Sequence, residues 1–249
     1  MVTRTIIFSL LTLAFATAAP GIARADEATD PIVVELFTSQ GCSSCPPADK
    51  YLGALAQRPD VLALSFHVDY WDYIGWKDPF ASHLATLRQR KYARTFDTAY
   101  VYTPQMVVNG VMQGVGSDRG TIEAAITHVK AEHRQHPSLI LERQSDGGIT
   151  IHVGAGSAKA QATVWLVYYD RKQVTDVPRG ENAGSTLTDH DVVRRFEAVG
   201  SWKGEALDIP VAASILDDFA TNRDRGLAAF VQTDGVGPIL AAKVMESPR

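Results

Sequence analysis

The chain has 249 residues, with 45% hydrophobic and 21% charged side chains and a formal net charge of −4. These values exclude wholesale disorder, a collagen-like repeat and a multi-span membrane protein, and leave no basic field to attract nucleic acid. Two cysteines cannot build a disulfide-rich scaffold, so their meaning depends on their spacing.

Arg4 precedes an uncharged apolar run that ends in small residues, with Ala23-Arg24-Ala25 at its close. A charged start, an apolar centre and a small-residue end describe a secretory signal peptide over residues 1–25, cleaved after Ala25. A membrane anchor is the alternative, but Pro20 and Gly21 break the end of the run and no second apolar span follows. The expected location is the periplasm or the exterior, where thiols meet oxidising conditions.

Residues 31–136 alternate strand and helix patterns. Pro31 to Phe37 reads as a strand, Ala48 to Gln57 as a helix and Val61 to Val68 as a strand. Phe80 to Phe96 follows as a helix, then Thr103 to Val108 and Val111 to Val115 as strands about an Asn109-Gly110 turn. Thr121 to His133 is a last helix, with Ser117 or Asp118 near its start as cap candidates. This alternation predicts an α/β sheet covered on both faces. Beyond Pro137 the pattern turns to strands: Ser138–Arg143, Gly148–Val153, Thr163–Tyr169, Val192–Val199, Gly226–Thr233 and Ile239–Met245, with one helical stretch at Val211–Ala220. Residues 138–249 therefore predict a small all-β sandwich domain.

Cys42 and Cys45 stand between the first strand and the first helix. A sulfur at a helix N-terminus meets unpaired N–H groups and the positive end of the macrodipole, which favour the thiolate. Two intervening residues let the second sulfur resolve a mixed disulfide formed by the first, as thiol–disulfide exchange requires. An inert staple and a metal site are the competing readings. A staple across so short a loop stabilises little, about 2 kcal/mol. A zinc site needs four ligands, and no second C-x-x-C exists.

The order of strand, C-x-x-C, helix, strand, helix, Thr-Pro strand, Asn-Gly hairpin and final helix resembles the thioredoxin fold. Three segments narrow the resemblance: Glu35 to Ala48, His67 to Asp72 and Tyr102 to Gly110. Together they resemble the exported bacterial family of domain of unknown function 1223, over roughly residues 31–249. The resemblance implies a thioredoxin-like domain over residues 31–136 fused to the β-rich domain, without a defined reaction. It also implies that the Thr103–Pro104 bond is cis and lies beside Cys42. The backbone at Thr103 would then pair with an extended peptide bearing a disulfide.

Glu35 lies on the first strand and is expected to be buried, which raises a carboxyl pKa and suits it to exchange a proton with Cys45. A paired structural glutamate is the alternative, since the acid of thioredoxin-like proteins sits one residue nearer the cysteine. His67, Asp69, Tyr70 and Trp71 follow the second strand, where ligands bind in open α/β sheets. They suit a substrate groove or a domain interface, and His67 suits either a charge beside the thiol or a structural role. The loop Arg179 to Gly184 is expected to pack against the first domain.

These features predict a thiol–disulfide oxidoreductase acting on protein or peptide disulfides, with Cys42 attacking, Cys45 resolving and Pro104 shaping the site. The redox-active disulfide makes an organic cofactor unnecessary, and a membrane redox partner would supply or remove electrons. Two rival readings are a metallochaperone holding copper(I) through its thiolates and a binding module with a permanent disulfide.

Overall fold

Strand β1 (Ile32–Thr38) is apolar or β-branched at every position but Glu35, and every side chain after Ile32 is buried, as befits a strand covered on both faces. The computed structural model describes residues 30–132, 137–157, 160–216 and 222–245. The predicted signal segment and His133, the last residue of the third predicted helix, lie outside them.

β1 pairs in parallel with β2 (Val61–His67), from Ile32 opposite Val61 to Thr38 opposite His67. Helix α1 (Pro46–Leu55) makes the crossover between them. It starts on proline, whose missing N–H costs nothing in the first turn. Helix α2 (His83–Thr95) begins after Ser82, whose hydroxyl accepts a hydrogen bond from the Leu84 N–H. β3 (Gln105–Val108) runs antiparallel to β1, and β4 (Met112–Val115) returns beside β3. Between them Asn109 and Gly110 both take positive φ, 51° and 69°, the requirement of the tight hairpin turn expected for this pair. Helix α3 (Arg119–Ala131) is capped by Asp118.

The remaining strands form two layers. β5 (Leu139–Arg143), β6 (Ile149–Val153) and β9 (Leu207–Val211) make a three-stranded sheet in the order β5-β6-β9. β7 (Ala162–Val177), β8 (Ser185–Trp202), β10 (Arg225–Thr233) and β11 (Ile239–Met245) join the first four strands in one eight-stranded sheet, ordered β11-β10-β7-β8-β2-β1-β3-β4. The join is the parallel pairing of Ser65 with Val192. The result is a mixed α/β fold with one large mixed sheet and few helices. Among the described residues no helix is long and apolar enough to cross a membrane.

Three apolar clusters hold the layers. Val34, Leu36, Leu52, Leu55, Met106 and Ile126 pack α1 and α3 on one face of the sheet. Val164, Leu166, Leu227 and Val231 meet Ile149, Ile151 and Val153 of the small sheet. The third cluster draws on both halves of the chain: Val33, Phe37, Leu64 and Tyr92 pack with Val167, Phe230 and Ile239.

Two expectations need correction. The helix expected at Val211–Ala220 does not occur in its described part. Val211 ends β9, and residues Ala213–Ile215 form a single 3-10 turn. Ile209 and Val211 alternate inward in β9, and that period-two burial prevails over an apolar spacing that also suits a helix. The small sheet accommodates Pro210 because β9 is an edge strand. β7 and β8 also run far beyond the segments Thr163–Tyr169 and Val192–Val199. Their outer parts are polar and exposed on one side, so apolar patterning marks only their inner parts.

Candidate functional site

The C-x-x-C pair sits where β1 ends and α1 begins. Cys45 is the residue before the first helical turn, and its carbonyl accepts from Ala48 N and Asp49 N at 2.9 and 3.1 Å. Cys42 and Cys45 are joined as a disulfide, with Cα atoms 5.5 Å apart. Neither cysteine is open to solvent: Cys42 is 1% exposed and Cys45 0%. The sulfur expected to attack is thus covered in the oxidised protein. Its Sγ faces the Thr103 carbonyl oxygen at 3.8 Å and the Ser44 hydroxyl at 3.3 Å. The Thr103–Pro104 peptide bond is cis. Gly116, just after β4, donates its N–H to the Pro104 carbonyl at 2.9 Å and sits in a tight place, for a Cβ there would meet the Ala48 and Leu36 side chains at 3.1 Å and Pro104 at 3.3 Å.

Beyond the ends of β1 and β2 lies a buried polar cluster. Thr38 donates its hydroxyl to Asp49 at 2.8 Å. His67 Nδ1 lies 2.7 Å from Asp78, and its Nε2 lies 4.0 Å from Asp189 with no hydrogen-bond partner. Gln40 joins the group, donating its backbone N–H to Asp78 at 2.8 Å and its side-chain amide to Asp189 at 2.7 Å. Burial opposes charge on His67, but Asp78, Asp189 and Asp49 outweigh it and raise its pKa to about 9. Burial, reinforced by Asp189, lifts the Asp49 carboxyl to about 7. Asp49 stands one helical turn after Cys45, on the residue whose N–H that cysteine caps.

Sequence reasoning did not single out Asp49. Its signal was a carboxylate at i+4 from Cys45 on a helix face otherwise made of Ala48, Leu52 and Leu55. Asp78 and Asp189 carried no such signal, because only the fold brings them to His67.

Glu35 is not brought to the cysteines. Successive strand residues face opposite sides, and Glu35 faces α2 while Val34 and Leu36 face α1. Arg88 grips it through two hydrogen bonds of 2.5 and 3.0 Å, and the Tyr92 hydroxyl donates to it as well. The guanidinium lies 4.6 Å from the centre of the Phe196 ring. Glu35 is thus the paired structural glutamate, and the proton-carrier role suggested for it is corrected.

The loop after β2 walls the pair on another side. Trp71 donates its indole N–H to the Thr103 hydroxyl at 2.8 Å, and its Cβ lies 3.1 Å from where a Gly41 side chain would begin. Tyr70 and Asp69 turn instead to α2, the first donating to Gln89 at 3.0 Å and the second accepting from Thr86 and lying 2.9 Å from His83. Trp76 donates to the Gln40 side chain at 3.2 Å.

The third wall comes from far along the chain. The β7–β8 turn, residues 178–184, lies over the Cys42 side of the pair. Asn182 donates its side-chain amide to the carbonyls of Gln40 and Cys42 at 2.9 and 3.0 Å. The Glu181 carboxylate accepts from Ser43 N at 3.0 Å, and a Cβ on Gly180 would lie 3.1 Å from that of Trp76. This loop packs on the first half as the sequence suggests.

Comparison with known proteins places this arrangement. Over 90% of its length the chain is similar to protein AGR_C_4864 from Agrobacterium tumefaciens, a crystal structure it matches at 33% identity and TM-score 0.76, covering 97% of that chain. It shares a fold with HBP35 of Porphyromonas gingivalis at 13% identity and TM-score 0.60, covering 88% of this chain and 76% of that one. No curated protein matches. The family model described as protein of unknown function, DUF1223, matches residues 33–232. The segments around Cys42, His67 and Pro104 all lie within that match, and the chain belongs to the DUF1223 family.

Proposed function

We propose that this protein is an exported thiol–disulfide oxidoreductase whose first half has a thioredoxin-like architecture. The observation that carries the reading is the disulfide at the start of α1 with the carbonyl before a cis proline facing Cys42 Sγ. A substrate thiolate attacks Cys42 Sγ, the Cys42–Cys45 bond breaks and Cys45 leaves as a thiolate that takes a proton. A second thiol of the substrate then attacks the mixed disulfide, releasing reduced Cys42 and the oxidised substrate. Two electrons pass to the cysteine pair; the reverse sequence oxidises a dithiol. Asp49, buried one turn from Cys45 with a pKa near 7, is the group suited to exchange that proton at neutral pH. The substrates are protein or peptide thiols and disulfides, in the periplasm or outside the cell.

A second reading rests on the 1% exposure of Cys42: the bond is permanent and the protein binds partners without exchange. One measurement separates the two. The chain without residues 1–25 is equilibrated in glutathione buffers, and its thiols are counted by alkylation and mass. An oxidoreductase gives a potential in the range of exchange proteins, roughly −120 to −270 mV. A bond still closed below about −300 mV is a structural disulfide, and that result rejects the oxidoreductase.

A further inference from the structure

The hairpin over the disulfide is attached in an unusual way. β10 pairs with β7 from Ala162 to Asp170, and β2 meets β8 at Val192. Beyond those points β7 and β8 pair with each other, out to Val177 opposite Ser185. This outer ribbon lies along α1, where the His190 ring fills the space a Gly53 side chain would need, and Asp189 ties it to Gln40. Its tip, Pro178 to Gly184, carries no large apolar residue, and Asn182 is the one buried residue within it. What holds the tip down is polar: the Asn182 amide on two carbonyls and the Glu181 carboxylate on the Ser43 N–H. Gly180 and Gly184 both have φ of 81°, where L side chains are strained. Of the three hydrogen bonds only the one to Glu181 is exposed, and a segment with so few apolar contacts belongs to the low-stability part of a fold.

Reaction at Cys42 requires that an attacking thiolate reach the sulfur, yet the residue is 1% exposed and the tip is hydrogen-bonded to its carbonyl and to the N–H of the next residue. We propose that the β7–β8 tip is a removable cap over Cys42, and that Glu181 and Asn182 are the positioning residues that hold it shut. This inference rests on the thiol–disulfide reading and adds selectivity to it. Small thiols in solution are kept off the bond, and a protein or peptide thiol gains access when it draws the tip aside. The cap acts from the β-rich half of the chain on the chemistry of the other half.

The test follows the reduction of the oxidised protein, without residues 1–25, by dithiothreitol. One dithiothreitol thiolate attacks Cys42 Sγ and breaks its bond to Cys45, which takes a proton. The second closes the reagent into a cyclic disulfide and frees Cys42, so two electrons enter the protein. Counting thiols against time, the Glu181→Ala/Asn182→Ala double variant is expected to reduce at least tenfold faster than the parent. Glu181→Gln keeps an acceptor for Ser43 N and is expected to stay within twofold of it. A double variant no more than twofold faster overturns the cap, as does Glu181→Gln reducing as fast as the double variant. Hydrogen exchange on the parent keeps the test valid if the double variant does not fold. The Ser43 amide is expected to exchange through a local opening insensitive to low urea, and exchange only by global unfolding overturns the proposal. If the double variant accelerates while the glutathione equilibrium marks a structural disulfide, the oxidoreductase fails and with it the selective role of the cap, leaving the tip a shield over a permanent bond. If the parent equilibrates as an exchange protein and the double variant is no faster, the cap alone fails.

Discussion

A carboxyl one turn beyond Cys45 is held away from water, and that changes what pH does to the protein. Asp49 titrates near 7 in the folded chain, against an ordinary value of 3.8, because burial penalises its charge. Below pH 3.8 the folded and unfolded states are both protonated there. Between 3.8 and 7 the unfolded chain releases the proton while the folded chain keeps it, so stability falls as pH rises through that window. Three pKa units correspond to at most about 4 kcal/mol. Asp49→Asn is expected to flatten the slope of unfolding free energy between pH 4 and 7, measured by urea titration. An unchanged slope would remove Asp49 as the proton-exchanging group. Glu35→Gln should act differently. It weakens the pair with Arg88 and leaves a buried cation poorly compensated, a change that costs about 3–5 kcal/mol when a partner is lost outright. Because Glu35 faces α2 rather than α1, the exchange rate at Cys42 should stay within about twofold of the parent in the range where the variant is folded.

At the scale of elements, α1 and the β7–β8 hairpin depend on one glycine. Gly53 lies inside the helix, where glycine is unfavourable by roughly 0.5–1 kcal/mol against alanine. An added Cβ would lie 2.5 Å from the His190 ring. Gly53→Ala, stabilising in an isolated helix, is expected to destabilise this protein by roughly 1–3 kcal/mol through overpacking. His190→Ala should recover much of that loss, and a double-mutant cycle from urea unfolding measures the coupling. Additive effects would mean that hairpin and helix are not pressed together there. The same contact, with the Gln40–Asp189 hydrogen bond, holds the ribbon against the first half beyond its last pairing with β2 and β10.

On the scale of the whole molecule, the change of pattern at Pro137 is not a break in the packing. The sheet passes from β2 to β8, and one apolar cluster takes Val33, Phe37 and Leu64 from one side and Val167, Phe230 and Ile239 from the other. The Glu35–Arg88 pair is covered in the same way, with Phe196 over the guanidinium and Gln232 accepting from it at 2.9 Å. Cutting the chain at 136 would strip that cover and leave the pair and the edge of β2 in water. Residues 26–249 are expected to unfold in one calorimetric transition, and residues 26–136 alone to lack cooperative unfolding. Two separated transitions would show that the halves are independent.

Most local elements, and the place of the cysteine pair among them, were legible along the chain. Period-two and period-3.6 patterns marked most strands and the three α-helices of the described residues, Asn109-Gly110 specified its own turn, and the spacing of the cysteines placed the pair ahead of a helix. These are properties of neighbours along the chain, set by backbone preference and side-chain alternation. Tertiary structure decided what surrounds the pair. Which face Glu35 takes depends on strand pairing, and a one-residue difference in position sends it to Arg88 instead of the cysteines. The His67 cluster needs Asp78 and Asp189 from distant segments, and the cap over Cys42 comes from residues 140 positions away. Polar contacts of that range leave no periodic trace, because no local rule requires their two ends to be near each other.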